Sequence, residues 1–362
     1  MRYFYANAYF MKDNTAIVLS NGMLHNNHAK TAHGLIRGTD RYRINAVIDH
    51  THAGQDAGEV LDGIKRNIPI YANVEEALLK LPEKPAYCII GVATSGGVLP
   101  PEMLESVTSA LDAGISIVNG LHEQLSGKET IRKLADERGA KLIDIRRPRN
   151  REELHFWTGA IYKVSSSIVA VLGMDCATGK RTTARLLAEA CREEGLVAEM
   201  IYTGQTGWMQ GSKYGFIFDS TLNDFISGEI EHAIVSCFNE TSAEFIFIEG
   251  QSSLRNPAGP CGSEFLISGN AKQVVLVFNP KQEYFDDDPA WGRLPSVESE
   301  IKLIESYGSK VMALSLNTHN CSPDEAKQFQ QKFEQEFKLP VLLPVMEGVR
   351  NFIPHLKSLR HS

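Results

Sequence analysis

A glycine-bounded loop that ends in Gly-Lys is the feature of this sequence with the clearest chemical meaning. An apolar run over 168–172 precedes the loop, and a helical pattern follows it. In such a strand–loop–helix unit, the loop amides and the helix N-terminus face an anion, and the lysine adds a positive charge. We therefore predict a P-loop that binds the phosphates of a nucleotide or a nucleotide-derived cofactor. Its predicted contact residues are Gly173, Cys176, Ala177, Thr178, Gly179, Lys180, Arg181, Thr182 and Thr183.

This loop differs at two points from the usual G-x-x-x-x-G-K-[ST] pattern. It is one residue longer, and Arg181 occupies the position of the Ser or Thr that normally holds Mg²⁺. Phosphate binding tolerates these changes better than nucleotide hydrolysis does. Thr182 or Thr183 could still reach a metal, so ATP with Mg²⁺ stays an alternative. A cofactor that needs no metal suits the loop at least as well, and we predict no resident metal.

Acidic side chains at the predicted strand ends are candidates for catalysis. Glu249 ends a strand over 245–249, and Asp175 lies inside the loop. Either carboxylate could act as a general base, although Glu249 could instead cap nearby amides. No Ser-His or Cys-His pairing indicates a covalent intermediate. Predicted substrate contacts are Thr203, Gln205, Thr206, Gln251 and Arg255.

Four histidines follow the first two predicted strands and could converge at one edge of a sheet. They are His25, His28, His50 and His52. No carboxylate or cysteine completes a recognisable metal-binding motif with them. Histidines that make hydrogen bonds in loops are therefore the favoured interpretation.

Short apolar runs alternate with helical patterns along the chain, which predicts parallel sheets covered by helices on both faces. The predicted fold class is α/β, with an N-terminal Rossmann-like domain and a P-loop NTPase-like parallel-sheet domain. We place the first domain at 1–147, a connecting helix at 148–166 and the second domain at 167–362. The first strand is not followed by G-x-G-x-x-G, so NAD binding is not predicted.

Composition and charge exclude several classes of protein. The 362 residues exceed what one core usually organises, so two domains are expected. The 37 basic residues stand against 44 acidic ones, a net charge of −7, which disfavours nucleic acid and anionic membranes as partners. Six cysteines without a C-x-x-C pair favour reduced thiols. With no signal-peptide pattern and no apolar span, we expect a cytoplasmic protein. Its expected partners are a small-molecule substrate and, in a homo-oligomer, further copies of the same chain.

The C-terminal half resembles the dethiobiotin synthetase and cobyric acid synthase branch of P-loop proteins. The similarity rests on the longer loop, on Glu249-Gly250 at a strand end, and on a late strand that ends in Asn317. A similarly placed asparagine contacts adenine in that branch, so the resemblance implies a cofactor-binding role for Asn317. The N-terminal half more loosely resembles the CoA-binding domain of succinyl-CoA synthetase, through 68–71 and 109–115 among other segments.

Over nearly its whole length, the sequence resembles the D-glutamate N-acetyltransferase-like family, formerly a domain of unknown function. The shared motifs are Asp175-Cys176-Ala177-x-Gly179-Lys180-x-Thr182-Thr183, Thr203-Gly204-Gln205-Thr206-Gly207 and Glu249-Gly250-Gln251. The resemblance implies an acyltransferase that moves the acetyl group of acetyl-CoA to the amine of an acidic amino acid, with D-glutamate as the expected acceptor. The alternatives are an ATP-dependent ligase of the dethiobiotin synthetase type and a nucleotide-binding regulatory protein.

Overall fold

In this computed structural model, residues 14–358 of the chain are described. They divide into two compact units. One unit contains the chain up to Pro148 together with Gln205–Ser212, and the other contains Arg149–Gly204 together with the chain from Lys213. The outermost parts of the two predicted domains, 1–13 and 359–362, lie outside the described residues.

Strands and helices alternate through the first unit. In chain order they are β1 (Thr15–Leu19), α1 (Lys30–Arg37), β2 (Arg43–Ile48), α2 (Ala57–Asp62), β3 (Ile70–Tyr71), α3 (Val74–Lys80), β4 (Tyr87–Ile90), α4 (Pro101–Asp112), β5 (Ser116–Asn119), α5 (Glu129–Arg138) and β6 (Leu142–Asp144). The strands pair in parallel in the order β3-β2-β1-β4-β5-β6. This is the strand order of a Rossmann fold, as predicted. The apolar runs form its central strands because helices cover both faces of the sheet, and every residue of β1 is buried.

Asp49, the acid that follows β2, holds the loop after β1 in place. Its carboxylate is completely buried and accepts hydrogen bonds from Ser20 Oγ at 2.8 Å, Gly22 N at 2.9 Å and Leu24 N at 3.1 Å. In a dinucleotide-binding Rossmann domain, an acid in this region binds the ribose. In this unit the acid is engaged by the protein's own donors.

The second unit is built in the same way. In chain order the remaining elements are β7 (Ser167–Gly173), α6 (Lys180–Glu193), β8 (Ala198–Tyr202), α7 (Gln205–Met209), β9 (Tyr214–Gly215), α8 (Asn223–Thr241), β10 (Phe245–Glu249), α9 (Ser263–Ile267), β11 (Gln273–Phe278), α10 (Val297–Ser306), β12 (Lys310–Leu316), α11 (Pro323–Phe337), β13 (Val341–Leu342), α12 (Pro344–Glu347) and α13 (Ile353–Ser358). Of these, α7 belongs to the first unit. The sheet is parallel, with the order β13-β12-β11-β7-β10-β8-β9.

The central strand of this sheet, β7, leads into the predicted P-loop. It pairs with β10 on one side and β11 on the other. Glu249, the last residue of β10, pairs with Val171, two residues before Gly173. Because all carboxyl ends of a parallel sheet lie at one edge, the end of β10 lies beside the start of the loop. The predicted P-loop-type parallel sheet is confirmed.

The segment predicted as a connecting helix, 148–166, contains no α-helix, so that prediction is wrong. It has two short 3-10 turns, Arg151–Glu153 and Ala160–Lys163, separated by irregular chain. From Arg149 onward it belongs to the second unit.

Two buried carboxylates of α8 bind this segment. Glu229 accepts a hydrogen bond from His155 N at 2.8 Å, and Glu231 accepts one from Thr158 N at 2.6 Å and one from Ile161 N at 3.1 Å. Backbone amides need a hydrogen-bond partner, and an α-helix supplies it internally. Because side chains of α8 supply it here, the segment can remain irregular.

Candidate functional site

The loop between β7 and α6 combines strained backbone with a buried lysine. Gly179 has a φ of 102° and Ala177 a φ of 52°, a value uncommon for a residue with a side chain. Lys180 is the first residue of α6 and only 7% exposed, and its Nζ donates to Asp175 O at 2.5 Å. The ammonium group therefore lies against the loop, at a helix N-terminus where an anion is favoured.

Two glycines make room for the lysine side chain. A Cβ at Gly173 would lie 2.9 Å from Lys180 Cδ, and a Cβ at Gly250 would lie 3.1 Å from the same atom and 2.4 Å from Val171 O. The separation from Val171 O is shorter than real Cβ atoms show, and those from Lys180 are tight. The glycines thus let the backbones of β7 and β10 approach Lys180 closely.

Glu249 lies at the centre of a hydrogen-bonded group that joins the ends of β8 and β10. It is 6% exposed, and its Oε2 accepts from Thr203 N at 3.0 Å. The Thr203 hydroxyl donates to Glu249 O at 2.7 Å and accepts from Gln251 Nε2 at 2.9 Å. Three residues predicted from two separate motifs are therefore brought together.

Burial raises the pKa of the Glu249 carboxyl. The positive charge of Arg181, the backbone amides of Thr203 and Gly204, and the charge of Lys180 oppose that effect and offset only part of it. A carboxylate whose pKa is raised is a stronger base than an exposed one. Such groups are concentrated in active sites, so Glu249 is the better-placed candidate base.

Asp175, the other candidate base, is tied to the protein through both of its oxygens. The side chain is completely buried and accepts hydrogen bonds from Asn256 Nδ2 at 2.7 Å, Gln282 Nε2 at 2.6 Å and Asp286 N at 2.6 Å. These donors lie in the loops that follow β10 and β11. The arrangement favours a role for Asp175 in holding those loops against the P-loop.

Other predicted cofactor contacts lie around the same loop. Asn317 Nδ2 is 3.5 Å from Ala177 O, which places the end of β12 beside the loop. The Cys176 thiol lies 3.6 Å from Ser252 Oγ, and the buried Thr178 hydroxyl donates to Asp175 O at 3.3 Å.

Thr183, one of two threonines that could reach a metal, is engaged elsewhere. Its hydroxyl lies 3.1 Å from Ser315 Oγ, and both side chains are buried. This pair attaches α6 to β12. The side chain of Thr182 is half-buried.

Of the other predicted substrate contacts, two belong to the first unit and one has a protein partner. Gln205 and Thr206 are buried residues of α7 in the first unit, where Thr206 Oγ1 lies 3.0 Å from Thr31 Oγ1. Arg255 donates from Nε to Glu300 Oε2 at 2.7 Å, so a buried protein carboxylate already binds its guanidinium. A substrate role for these residues stays a prediction.

The partners of Asp175 cannot be identified from the amino-acid sequence alone. Asn256, Gln282 and the backbone of Asp286 lie 81, 107 and 111 residues away from it. The only signal available was their place in loops after strands that flank β7. Such loops gather at the same edge of the sheet, but the pattern does not show which side chain bonds to which.

Two of the four predicted histidines have hydrogen-bond partners within the first unit. His52 Nδ1 lies 3.2 Å from Asp49 Oδ1, and His28 Nδ1 lies 3.3 Å from Ala93 O. Between residues 14 and 358, no group of three or more His, Cys, Asp or Glu side chains is arranged to hold a metal ion. In the same range, no helix is both long and apolar enough to cross a membrane.

Family comparisons agree with the two-unit architecture. Residues 155–353 match a family described as a domain of unknown function, the DUF1611 C-terminal P-loop domain. Residues 50–148 match the DUF1611 N-terminal Rossmann-like domain. The chain belongs to the DUF1611 family. A crystal structure of a DUF1611 family protein from Anabaena variabilis, 28% identical, superposes with a TM-score of 0.86 and covers 96% of this chain and 100% of that one.

Two similar relatives of this DUF1611 chain carry an enzyme name. A protein from a Pseudoalteromonas species named D-glutamate N-acetyltransferase is 28% identical over 274 residues, which are 74% of this chain and 80% of the relative. A protein of the same name from Tritonibacter scottomollicae is 24% identical over 277 residues, 75% of this chain and 81% of the relative.

Proposed function

We propose that this protein is an N-acetyltransferase that moves the acetyl group of acetyl-CoA to the amine of an acidic amino acid, with D-glutamate as the acceptor to test first. The observation that carries the proposal is Glu249, a buried carboxylate with a raised pKa beside a phosphate-binding loop. The names of two relatives support the class of reaction.

In this proposal, the loop binds the pyrophosphate of CoA through its amides and Lys180. Glu249 takes a proton from the ammonium group of the acceptor, and the resulting amine attacks the carbonyl carbon of the acetyl group. A new C–N bond forms, the C–S bond breaks, and the leaving sulfur takes up a proton. Thr203 and Gln251 orient the acceptor beside the carboxylate, and no side chain is acylated.

The test measures release of free thiol from acetyl-CoA by the purified protein, with D-glutamate, L-glutamate and a panel of other amines as acceptors. Mass spectrometry then identifies the N-acetylated product. We expect Glu249→Gln to lower kcat by about 10²- to 10⁴-fold, the range for loss of a general base, with the affinity for acetyl-CoA nearly unchanged. Glu334→Gln, on the exposed side of α11, is the matched control and should retain activity.

Two outcomes would contradict the proposal. If no acceptor in the panel releases thiol, while ATP with a carboxylate or diamine yields ADP, the ligase alternative is favoured. If Asp175→Asn abolishes transfer and Glu249→Gln does not, the base is Asp175.

A further inference from the structure

P-loop proteins that use Mg²⁺ build the metal site from two parts. One is the hydroxyl of the residue after the loop lysine, and the other is an acid at the end of a neighbouring strand. In this chain the residue after Lys180 is Arg181. The acid is Glu249, at the end of β10. The first part is therefore replaced by a cation.

Neighbouring threonines are poorly placed to restore the hydroxyl. The metal-binding hydroxyl normally belongs to the residue directly after the lysine, which is position 181 here. Successive residues of an α-helix are rotated by about 100°, so the side chain of Thr182 leaves the helix in a different direction from that of residue 181. Thr183, one more position along, bonds to buried Ser315. The threonine side chains of α6 thus do not reproduce the usual metal ligand.

Positively charged side chains of the protein itself accompany the acid, Glu249. Lys180 and Arg181 are the first two residues of α6, and the charges of both act to lower the pKa of Glu249 against the effect of burial. Glu249 Oε2 is in addition hydrogen-bonded to Thr203 N. The positive charges of these side chains would oppose a divalent cation at this carboxylate, which is a poor fit for an oxygen-ligated Mg²⁺.

We propose that the guanidinium of Arg181 replaces the metal cation of this P-loop, so that the loop binds the free diphosphate group of CoA or of a nucleoside diphosphate without Mg²⁺. Guanidinium, ammonium and helix N-terminus together match the charge of a diphosphate. The inference rests on the phosphate-binding part of the proposed function and is independent of acetyl transfer.

The test is calorimetric binding of CoA and of ADP to the full-length protein, once with EDTA and once with excess Mg²⁺. We expect the wild-type protein to bind both ligands at least as tightly in EDTA as in Mg²⁺. Arg181→Thr restores the usual hydroxyl, and we expect its affinity in EDTA to fall by about 10- to 100-fold, with partial recovery in Mg²⁺. Lys180→Ala is the positive control and should bind weakly in both buffers.

Arg181→Lys keeps the charge and loses the two-pronged geometry, so its affinity should lie between those of the wild type and Arg181→Thr. Thermal melting verifies that each variant is folded, and Arg181→Lys still tests the proposal if Arg181→Thr does not fold. Wild-type binding at least tenfold weaker in EDTA than in Mg²⁺ would overturn the inference. So would unchanged affinity of folded Arg181→Thr and Arg181→Lys in EDTA, or no binding of either ligand. Metal-free binding without any acetyl transfer would leave the inference standing and refute only the proposed reaction.

Discussion

At the residue scale, three buried glutamates show how neighbours decide the charge state. Burial raises the pKa of Glu249, and its neighbours offset only part of that effect. Burial also acts to raise the pKa of Glu229 and Glu231, but hydrogen bonds from Arg149 and His155 to the first, and from the 158–161 segment to the second, lower both values overall. The first carboxylate destabilises the fold when ionised, whereas the other two stabilise it.

Glu249→Gln should therefore stabilise the protein while it removes the proposed base. A raised pKa means that the folded state holds this proton more tightly than the unfolded state does. The wild-type free energy of unfolding then falls as pH rises from the ordinary glutamate pKa through the raised one. Glutamine does not ionise, so the variant should be more stable at neutral pH.

Urea unfolding from about pH 4 to about pH 8 measures this difference. The stabilities of wild type and Glu249→Gln should converge at low pH and separate as pH rises. Glu334→Gln serves again as the exposed control and should follow the wild-type curve. A variant less stable than wild type at neutral pH would show that ionised Glu249 is structurally favourable.

At the element scale, α8 determines the path of the chain that precedes the P-loop unit's first strand. Its carboxylates at 229 and 231 are almost completely buried, which is unusual for glutamate. They bind backbone amides of an irregular segment and so take over the role of helical hydrogen bonds. The ring of His155 stacks on that of His232 of α8, with centroids 3.5 Å apart.

Glu231→Gln should destabilise the second unit. Glu231 accepts from Thr158 N, Thr158 Oγ1 and Ile161 N, and a neutral amide with one oxygen cannot replace all of these bonds. We expect the free energy of unfolding at neutral pH to fall by about 1–3 kcal/mol, the cost of leaving hydrogen-bond donors without a partner. Because the pKa of Glu231 is lowered in the fold, wild type should lose this advantage as pH falls through that pKa.

Urea denaturation and amide hydrogen exchange at Thr158 and Ile161 provide the measurement. Faster exchange confined to this segment is expected. The control is Glu298→Gln, an exposed acid of α10. Equal stability of Glu231→Gln and wild type would mean that water replaces the carboxylate without cost.

At the scale of the whole molecule, the two units are not two consecutive halves of the chain. Gln205–Ser212 follows β8 of the second sheet but packs within the first unit. There, Arg41 Nε donates to Trp208 O at 2.7 Å and its guanidinium lies 4.1 Å from the centre of the Trp208 ring. Neither half of the sequence, cut at the predicted boundary, contains the complete first unit. Assembly into a homo-oligomer stays a prediction.

Gln210→Ala should loosen the first unit, although residue 210 lies far beyond the N-terminal domain in sequence. Gln210 Nε2 donates to Gly34 O and to Gly38 O, both at 2.9 Å, at the C-terminal end of α1. Loss of these buried bonds should lower the free energy of unfolding by about 1–3 kcal/mol. Hydrogen exchange should accelerate in α1, and Gln328→Ala on exposed α11 should change neither quantity. Unchanged protection of α1 in Gln210→Ala would contradict this.

Features that depend on neighbours along the chain follow from the amino-acid sequence alone. Runs of valine and isoleucine located β1, β7, β10 and β11, because a strand buried on both faces needs apolar residues throughout. The P-loop was equally accessible, since Gly173 to Lys180 is one continuous stretch whose backbone forms the site.

Features that depend on residues far apart in the chain require the folded structure. The raised pKa of Glu249 requires burial that the charge of Arg181 offsets only in part. The structural role of Asp175 requires three donors more than 80 residues away, and the irregular path of 148–166 requires the carboxylates of α8. Periodicity reports which face of an element is apolar. It does not report which polar groups come into contact when elements from different parts of the chain pack together. Those contacts determine the hydrogen bonds, the burial of polar groups and their charge states.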